Sequence, residues 1–162
     1  MMPIHDVCDF IILKLTEGDE RLSLLKLQKL LYYTQAWHLA LQGQPLFAGR
    51  FQAWIHGPVN REIYDRFKEN KTLYASLDAG DVRYGFNLGS VPEDQTRFLD
   101  TVLEAYAGLS GTQLEEMTHN EDPWVEARRG YRPSQRCEVE IDEALMSRYY
   151  RQRAQSTPAT PA

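Results

Sequence analysis

The stretch LSLLKLQKLLYYTQAWHLALQ, Leu22 to Gln42, constrains this chain more than any other. At helical spacing Leu24, Leu27 and Leu31 form one apolar stripe, and Leu30, Tyr33, Trp37 and Leu41 form a second beside it. Lys26, Gln28 and Lys29 are left to face outward. A helix apolar around so much of its circumference belongs at the centre of a core, with the remaining elements laid around it. Gly43 and Pro45 mark its end.

The other segments also read mostly as helices. Pro3 followed by Ile4, Val7, Ile11 and Leu15 predicts an amphipathic helix closed by Gly18, and Cys8 falls on its inner side. Phe47, Phe51, Ala53 and Ile55 stand at even spacing across an Ala-Gly turn signal, which predicts a short extended or hairpin segment. Pro58 fits the first position of a helix carrying Val59, Ile63 and Phe67 on one face. Residues 71–89 form a long connection with room for a strand around VRYGF. Ser90 with Glu93 predicts a capping box before Phe98, Leu99, Val102, Leu103 and Tyr106, and Ser110 with Gln113 repeats the device. Asp122, Pro123 and Trp124 open a short helix that Gly130 stops, and Asp142 caps a last one. The expected architecture is mainly α: one domain over residues 1–153 with about six or seven helices, and a short β-hairpin around residues 46–55 and 82–88. The stretch AQSTPATPA, residues 154–162, consists of small and polar residues and proline and reads as a disordered tail.

Composition narrows the function by exclusion. No apolar run approaches the roughly 20 residues a membrane helix needs. His5, Asp6 and Asp9 stand where a secretory signal carries positive charge, so a cytoplasmic address and reduced Cys8 and Cys137 are expected. A formal charge of −5 argues against nucleic acid as a partner, since the arginines from Arg128 to Arg153 are interleaved with carboxylates. His5, His38, His56 and His119 lie on four different segments, none at metal-ligand spacing, and the chain has no glycine-rich phosphate loop and no serine elbow. Catalytic residues, cofactor and metal are accordingly all expected to be absent.

One short run remains conspicuous: FQAWIHGPVN, Phe51 to Asn60. Gly57 permits a sharp turn, Pro58 fixes a backbone angle, and Trp54 and His56 flank the break. As scaffold, Trp54 anchors the connection in the core and His56 is a partly exposed hydrogen-bonding side chain. As a site, the pair flanks a helix end able to take an anion or a partner's carboxylate.

Three elements in order, KLQKLLYYTQAWHLALQGQPLF (residues 26–47), FQAWIHGPVNREIY (51–64) and LSGTQLEEMTHNEDPWVEARRG (109–130), resemble the signature of the Panacea domain family, the SocA-like antitoxins. Its motif positions fall here on Leu27, Leu30, Tyr33, Trp37, Trp54, Pro58, Val59, Tyr64, His119 and Trp124, residues mostly of core type. The resemblance implies an antitoxin that neutralises a protein toxin by direct contact, with one branch delivering its toxin to a Clp-type protease. Partner-binding residues are then sought among polar and aromatic side chains that no helical stripe claims: Tyr32, His56, Gly57, Pro58, Tyr84, Arg128, Arg129, Tyr131 and Arg132. Two other readings stand beside it. One is a small hydrolase-like enzyme with His56 and His119 in a cleft; the other is a DNA-binding autorepressor using the arginines from Arg128 to Arg136.

Overall fold

The long apolar segment is the axis of the molecule. In a computed structural model, which describes residues 1–18 and 21–156, it forms helix α2 (Leu24–Gln42), capped by the Ser23 side chain at one end and by left-handed Gly43 at the other. Before it runs α1 (Ile4–Glu17). After it come β1 (Gln52–Trp54), β2 (Gly57–Val59), α3 (Arg61–Phe67), α4 (Glu93–Tyr106), α5 (Gly111–His119), α6 (Asp122–Ala127) and α7 (Glu143–Ser156). Seven α-helices and one two-stranded antiparallel hairpin thus make up the regular structure of the described residues, a mainly α fold. Ser110 and Gln113 form the expected reciprocal cap of α5, Asp142 caps α7, and Cys8 is buried in α1. The last three residues of α7, Ala154 to Ser156, belong to the stretch read as a tail; the remainder of it, 157–162, lies outside the described residues.

One face of α2 departs from its expected role. Lys26, Gln28 and Lys29 are buried, whereas Leu41 is exposed. The reason is that α2 is surrounded partly by irregular backbone, whose N–H and C=O groups need partners inside the protein. Gln28 takes both groups of Asn60, Gln35 takes the N–H groups of Leu46 and Phe47 and the carbonyl of Phe47, and Lys26 Nζ donates to the Ala107 carbonyl at the end of α4. Polar residues facing a loop packed against a helix look, in sequence, like polar residues facing water.

Three boundaries also differ from expectation. The hairpin turns at Ile55-His56, not at the Ala48-Gly49 signal, with Trp54 opposite Gly57, so Pro58 lies in β2. Asn60, whose side chain accepts from Ile63 N, is the cap of α3. No strand forms at 82–88; that connection is held instead by Arg83, which binds Asp6 and fully buried Asp9, and Arg66 binds Asp9 from α3. Ser90 sits in a short 3₁₀ turn, and α4 starts after Pro92, whose missing N–H costs nothing at a helix end.

A third extended segment completes the small sheet. Ala53 N donates to Val139 O (2.9 Å) and Ile141 N to Phe51 O (2.7 Å), which lays residues 139–141 along β1. The chain then enters α7, which packs along α2 and donates from Ser147 and Arg151 to the last carbonyls of that helix.

Candidate functional site

The three sequence elements meet at Gly57. Its backbone is left-handed (φ 94°), and a Cβ there would lie 2.5 Å from Lys29 Cε and 2.9 Å from Thr118 Oγ1. Only glycine fits, for both reasons. Lys29 Nζ donates to the Pro58 carbonyl at 3.0 Å, inside the protein, and burial pulls its pKa down to about 7 although Glu115 favours the charged form. Beneath the hairpin the His119 ring stacks on Trp124 at 4.1 Å, and Trp124 Nε1 donates to the Trp54 carbonyl at 2.9 Å. Arg128, expected to be an exposed interface arginine, is buried. Its guanidinium donates to the carbonyls of Ala53, Arg132 and Gln135 and lies over the Trp124 ring. It ties the hairpin to the turn after α6.

On the outer face of this joint is a groove of about 330 Å³, lined by Trp54, Ile55 and His56 from the hairpin, Arg61 and Tyr64 from α3, and Arg136, Cys137 and Glu138 from the stretch that leads into the third extended segment. Trp54 and Tyr64 meet edge to face at 4.9 Å, both only partly buried, with the Arg61 guanidinium over both rings. Glu138 accepts from Arg61 at 3.1 Å and pairs with Arg136 at 2.9 Å. Trp54, read from its phase as a core residue, is therefore the wall of a surface groove: its backbone is anchored from below while its ring faces out.

A comparison with known protein families covers the hairpin, α3 and the helices around the joint, but not Arg128 or the Arg136–Glu138 wall. The family described as Antitoxin SocA-like, Panacea domain, matches residues 27–125, from α2 through α6. The chain belongs to the SocA-like Panacea family. A relative, Antitoxin SocA of Caulobacter vibrioides (strain NA1000 / CB15N), is 33% identical over 124 residues, 73% of this chain and 66% of that protein, so the match spans just under two thirds of the relative's length. No solved structure matches the chain.

The residues on which the resemblance to the Panacea signature rests fall into two groups. Leu27, Leu30, Tyr33, Trp37, Pro58 and Val59 are buried, whereas Trp54, Tyr64, His119 and Trp124 are only partly so and gather at or under the groove. Of the residues sought as partner contacts, Tyr32 is sealed in the core between Tyr33, Phe51 and Tyr150. Gly57 and Pro58 are buried in the joint; His56 lines the groove. Arg129, Tyr131 and Arg132 are exposed on the turn after α6, outside the groove, and Tyr84 stands fully exposed on a separate tight turn.

His56 Nδ1 approaches Glu115 Oε1 at 3.5 Å, but His119 is absent from the groove lining and held by its stack, where burial lowers its pKa. His119 thus does not line the groove that His56 lines. The basic patch is reduced as well, since Arg128 is buried, Arg129 pairs with Glu126 and Arg136 with Glu138. Among the described residues no group of three His, Cys, Asp or Glu side chains is placed to hold a metal, and no helix is long and apolar enough to cross a membrane.

Arg61 and Glu138 are not among the residues the sequence points to, and Arg136 is among them only as part of a DNA-binding patch, yet a signal for this wall exists. Arg136-Cys137-Glu138-Val139-Glu140-Ile141 alternates polar and apolar residues at period two, the pattern of a strand with one face outward.

Proposed function

We propose that this Panacea-family chain is a cytoplasmic antitoxin that binds a cognate protein toxin and neutralises it by contact at the Trp54–Tyr64 groove. The observation that carries this reading is the groove itself: two partly exposed aromatics beneath a guanidinium, built on a rigid joint, at positions belonging to the family signature. Aromatic and arginine side chains in a shaped recess are what binding hot spots are made of. An enzyme is less well supported, because His56 has no second histidine in the groove. A repressor is less well supported because, of the arginines it needs, Arg128 is buried and Arg129 and Arg136 are paired with carboxylates, which leaves only Arg132 exposed without an ion pair among the described residues.

Delivery of the toxin to a Clp-type protease would require a second surface. Tyr84, held out on a turn that Arg83 pins to Asp6 and Asp9, offers one separate from the groove. The test is co-expression. The product of the adjoining reading frame is expected to arrest growth of a host cell, this chain to restore it, and Trp54→Ala to restore it poorly at equal soluble protein level. Growth arrest that the parent chain cannot relieve sinks the antitoxin reading; equal rescue by Trp54→Ala moves the contact elsewhere.

A further inference from the structure

The third strand of the small sheet has an open outer edge. Residues 139 and 141 turn their backbone groups toward β1. Alternate residues of an extended chain point theirs to opposite sides, so Glu138 and Glu140 direct N–H and C=O outward. Among the described residues neither finds a backbone or side-chain partner for those groups, and Glu138, Val139 and Glu140 are all exposed. The bridge between Gln52 and Glu140 sets Glu138 opposite Trp54, two positions along and on the same face. The open edge and the groove are therefore continuous: Trp54 and Glu138 line the groove, and the outward groups of Glu138 begin at its rim.

We propose that this edge is a docking strand, along which an extended segment of the partner protein adds as a further strand and places an apolar side chain in the groove beside Trp54 and Tyr64. The inference rests on the reading of the chain as an antitoxin that binds a protein. The occupant follows from three features. Unpaired edge groups spaced two residues apart are satisfied by an extended backbone and by little else. The Glu140 carboxylate has no ion-pair partner among the described residues, while Glu138 is already held by Arg61 and Arg136, so the added strand carries a basic residue opposite Glu140. The aromatic walls call for a large apolar side chain two positions from that basic residue, on the same face of the added strand. A second copy of this chain fits poorly, because two such edges pairing with each other would set Glu138 and Glu140 against the same carboxylates.

The test uses two probes on the full chain. The peptide Ac-Thr-Lys-Thr-Leu-Thr-NH2, which carries Lys and Leu two positions apart on one face, is titrated against isotope-labelled protein, beside two versions in which alternate amides are N-methylated in one register or the other. The expected result is that the parent peptide shifts the Glu138 and Glu140 amide and Trp54 indole resonances and that one methylated register abolishes the shifts. No shift at millimolar peptide, or equal shifts with both methylated forms, overturns the docking strand. The second probe is the toxin from the adjoining reading frame, measured by calorimetry against the parent and Glu140→Pro. Proline removes the outward N–H of residue 140 but leaves the groups of 139 and 141 that pair with β1. A loss of about tenfold or more in toxin affinity, at parental melting temperature, is expected. Equal toxin binding by a folded Glu140→Pro overturns strand addition and leaves the antitoxin reading standing. Should the parent bind the peptide at the edge but no toxin, the edge is upheld and the antitoxin reading fails; should Glu140→Pro not fold, the methylated peptides on the parent decide.

Discussion

The cluster around Glu121 and the cluster around Trp54 draw on the same kinds of family-signature residue, and the fold treats them in opposite ways. Around Glu121 everything is closed. The hydroxyls of Tyr33 and Tyr150 donate to Glu121 Oε1 at 2.8 and 2.6 Å, Trp37 Nε1 donates to Tyr106 OH at 2.8 Å, and Tyr33 stacks on Tyr106 at 4.4 Å. Burial raises the Glu121 carboxyl above its usual range and the Tyr33 and Tyr150 hydroxyls well above theirs. Each polar tip is satisfied internally, so the cluster has nothing left to offer a partner. Around Trp54 the indole N–H is taken by Gln52 at 2.7 Å, but the ring faces the groove. Membership of a signature therefore marks two jobs, and what separates them is whether the ring faces, not just the polar tips, are covered.

The largest predicted effect tests the closed side. Trp37→Ala empties a large space in a sealed cluster and strands the Tyr106 hydroxyl, so about 3 to 5 kcal/mol of stability is expected to go, a fall in melting temperature of about 10 °C. Trp54→Ala, cut from a half-open wall, is expected to cost under about 1.5 kcal/mol. Thermal melts of the two proteins side by side decide it: if they fall together, the division into closed and open clusters is wrong.

Next in size is the clamp between the two. Arg128→Ala leaves the carbonyls of Ala53, Arg132 and Gln135 without their donor, an expected cost of about 2 to 4 kcal/mol. Arg129→Ala and Arg132→Ala, on the exposed turn that follows α6, are expected to stay within about 0.5 kcal/mol of the parent. Urea titrations of the three proteins test this, and a mild Arg128→Ala would mean that the hairpin is seated without it.

Arg128 also shows where the sequence is legible and where it is not. Helices with clean stripes or caps, such as the central one, the one capped by Ser110 and the one capped by Asp142, could be read because local chemistry decides them. The roles of Lys26, Gln28, Lys29 and Arg128 could not, because burial of a polar side chain against irregular backbone is decided by a segment far off in the chain, and a polar residue looks the same whether its partner is water or a carbonyl. Tyr32 was misplaced for a related reason: it lies between the two apolar stripes, and the helix turned out to be enclosed on that side too. At the groove, the Trp54 and His56 surroundings were legible from the Gly57-Pro58 break. The far wall, Arg136 to Glu138, shows only as the start of a short polar–apolar alternation over residues 136–141, and nothing local says that this segment lies beside β1.

A smaller effect concerns Lys29, which joins the closed core to the groove's underside. Its folded pKa of about 7 lies below the ordinary 10.5, so between those values the unfolded chain holds a proton that the folded chain does not. Stability then rises with pH across that window: the penalty for burying the ammonium is fully present below about pH 7 and relieved toward pH 10. Lys29→Met lacks this dependence. The parent is expected to gain on the variant by about 1 kcal/mol per pH unit from pH 7 to 9, below the range where the buried tyrosines titrate in the unfolded chain. Parallel denaturant melts at pH 6, 7, 8 and 9 measure it, and a gap that stays constant would mean that Lys29 keeps its proton in the fold.

The smallest effect on stability is expected where the effect on binding is greatest. Tyr64→Ala removes an aromatic that is partly exposed, touches Trp54 edge to face and lies beneath the Arg61 guanidinium. What the fold loses is one ring contact and one weak cation–π interaction, about 1 kcal/mol together. What a bound partner would lose is the groove's second wall, since with Tyr64 gone the Trp54 ring is left bare to water on that side and no longer shapes a recess. If the open cluster is the recognition site, Tyr64→Ala melts within about 3 °C of the parent yet fails to protect cells expressing the toxin, whereas Trp37→Ala lowers protection only in proportion to the folded protein that remains. Measuring growth rescue against the amount of soluble folded protein separates these cases. A Tyr64→Ala chain that rescues like the parent would break the comparison at its open end, and the exposed turn bearing Arg129, Tyr131 and Arg132 would become the next surface to test.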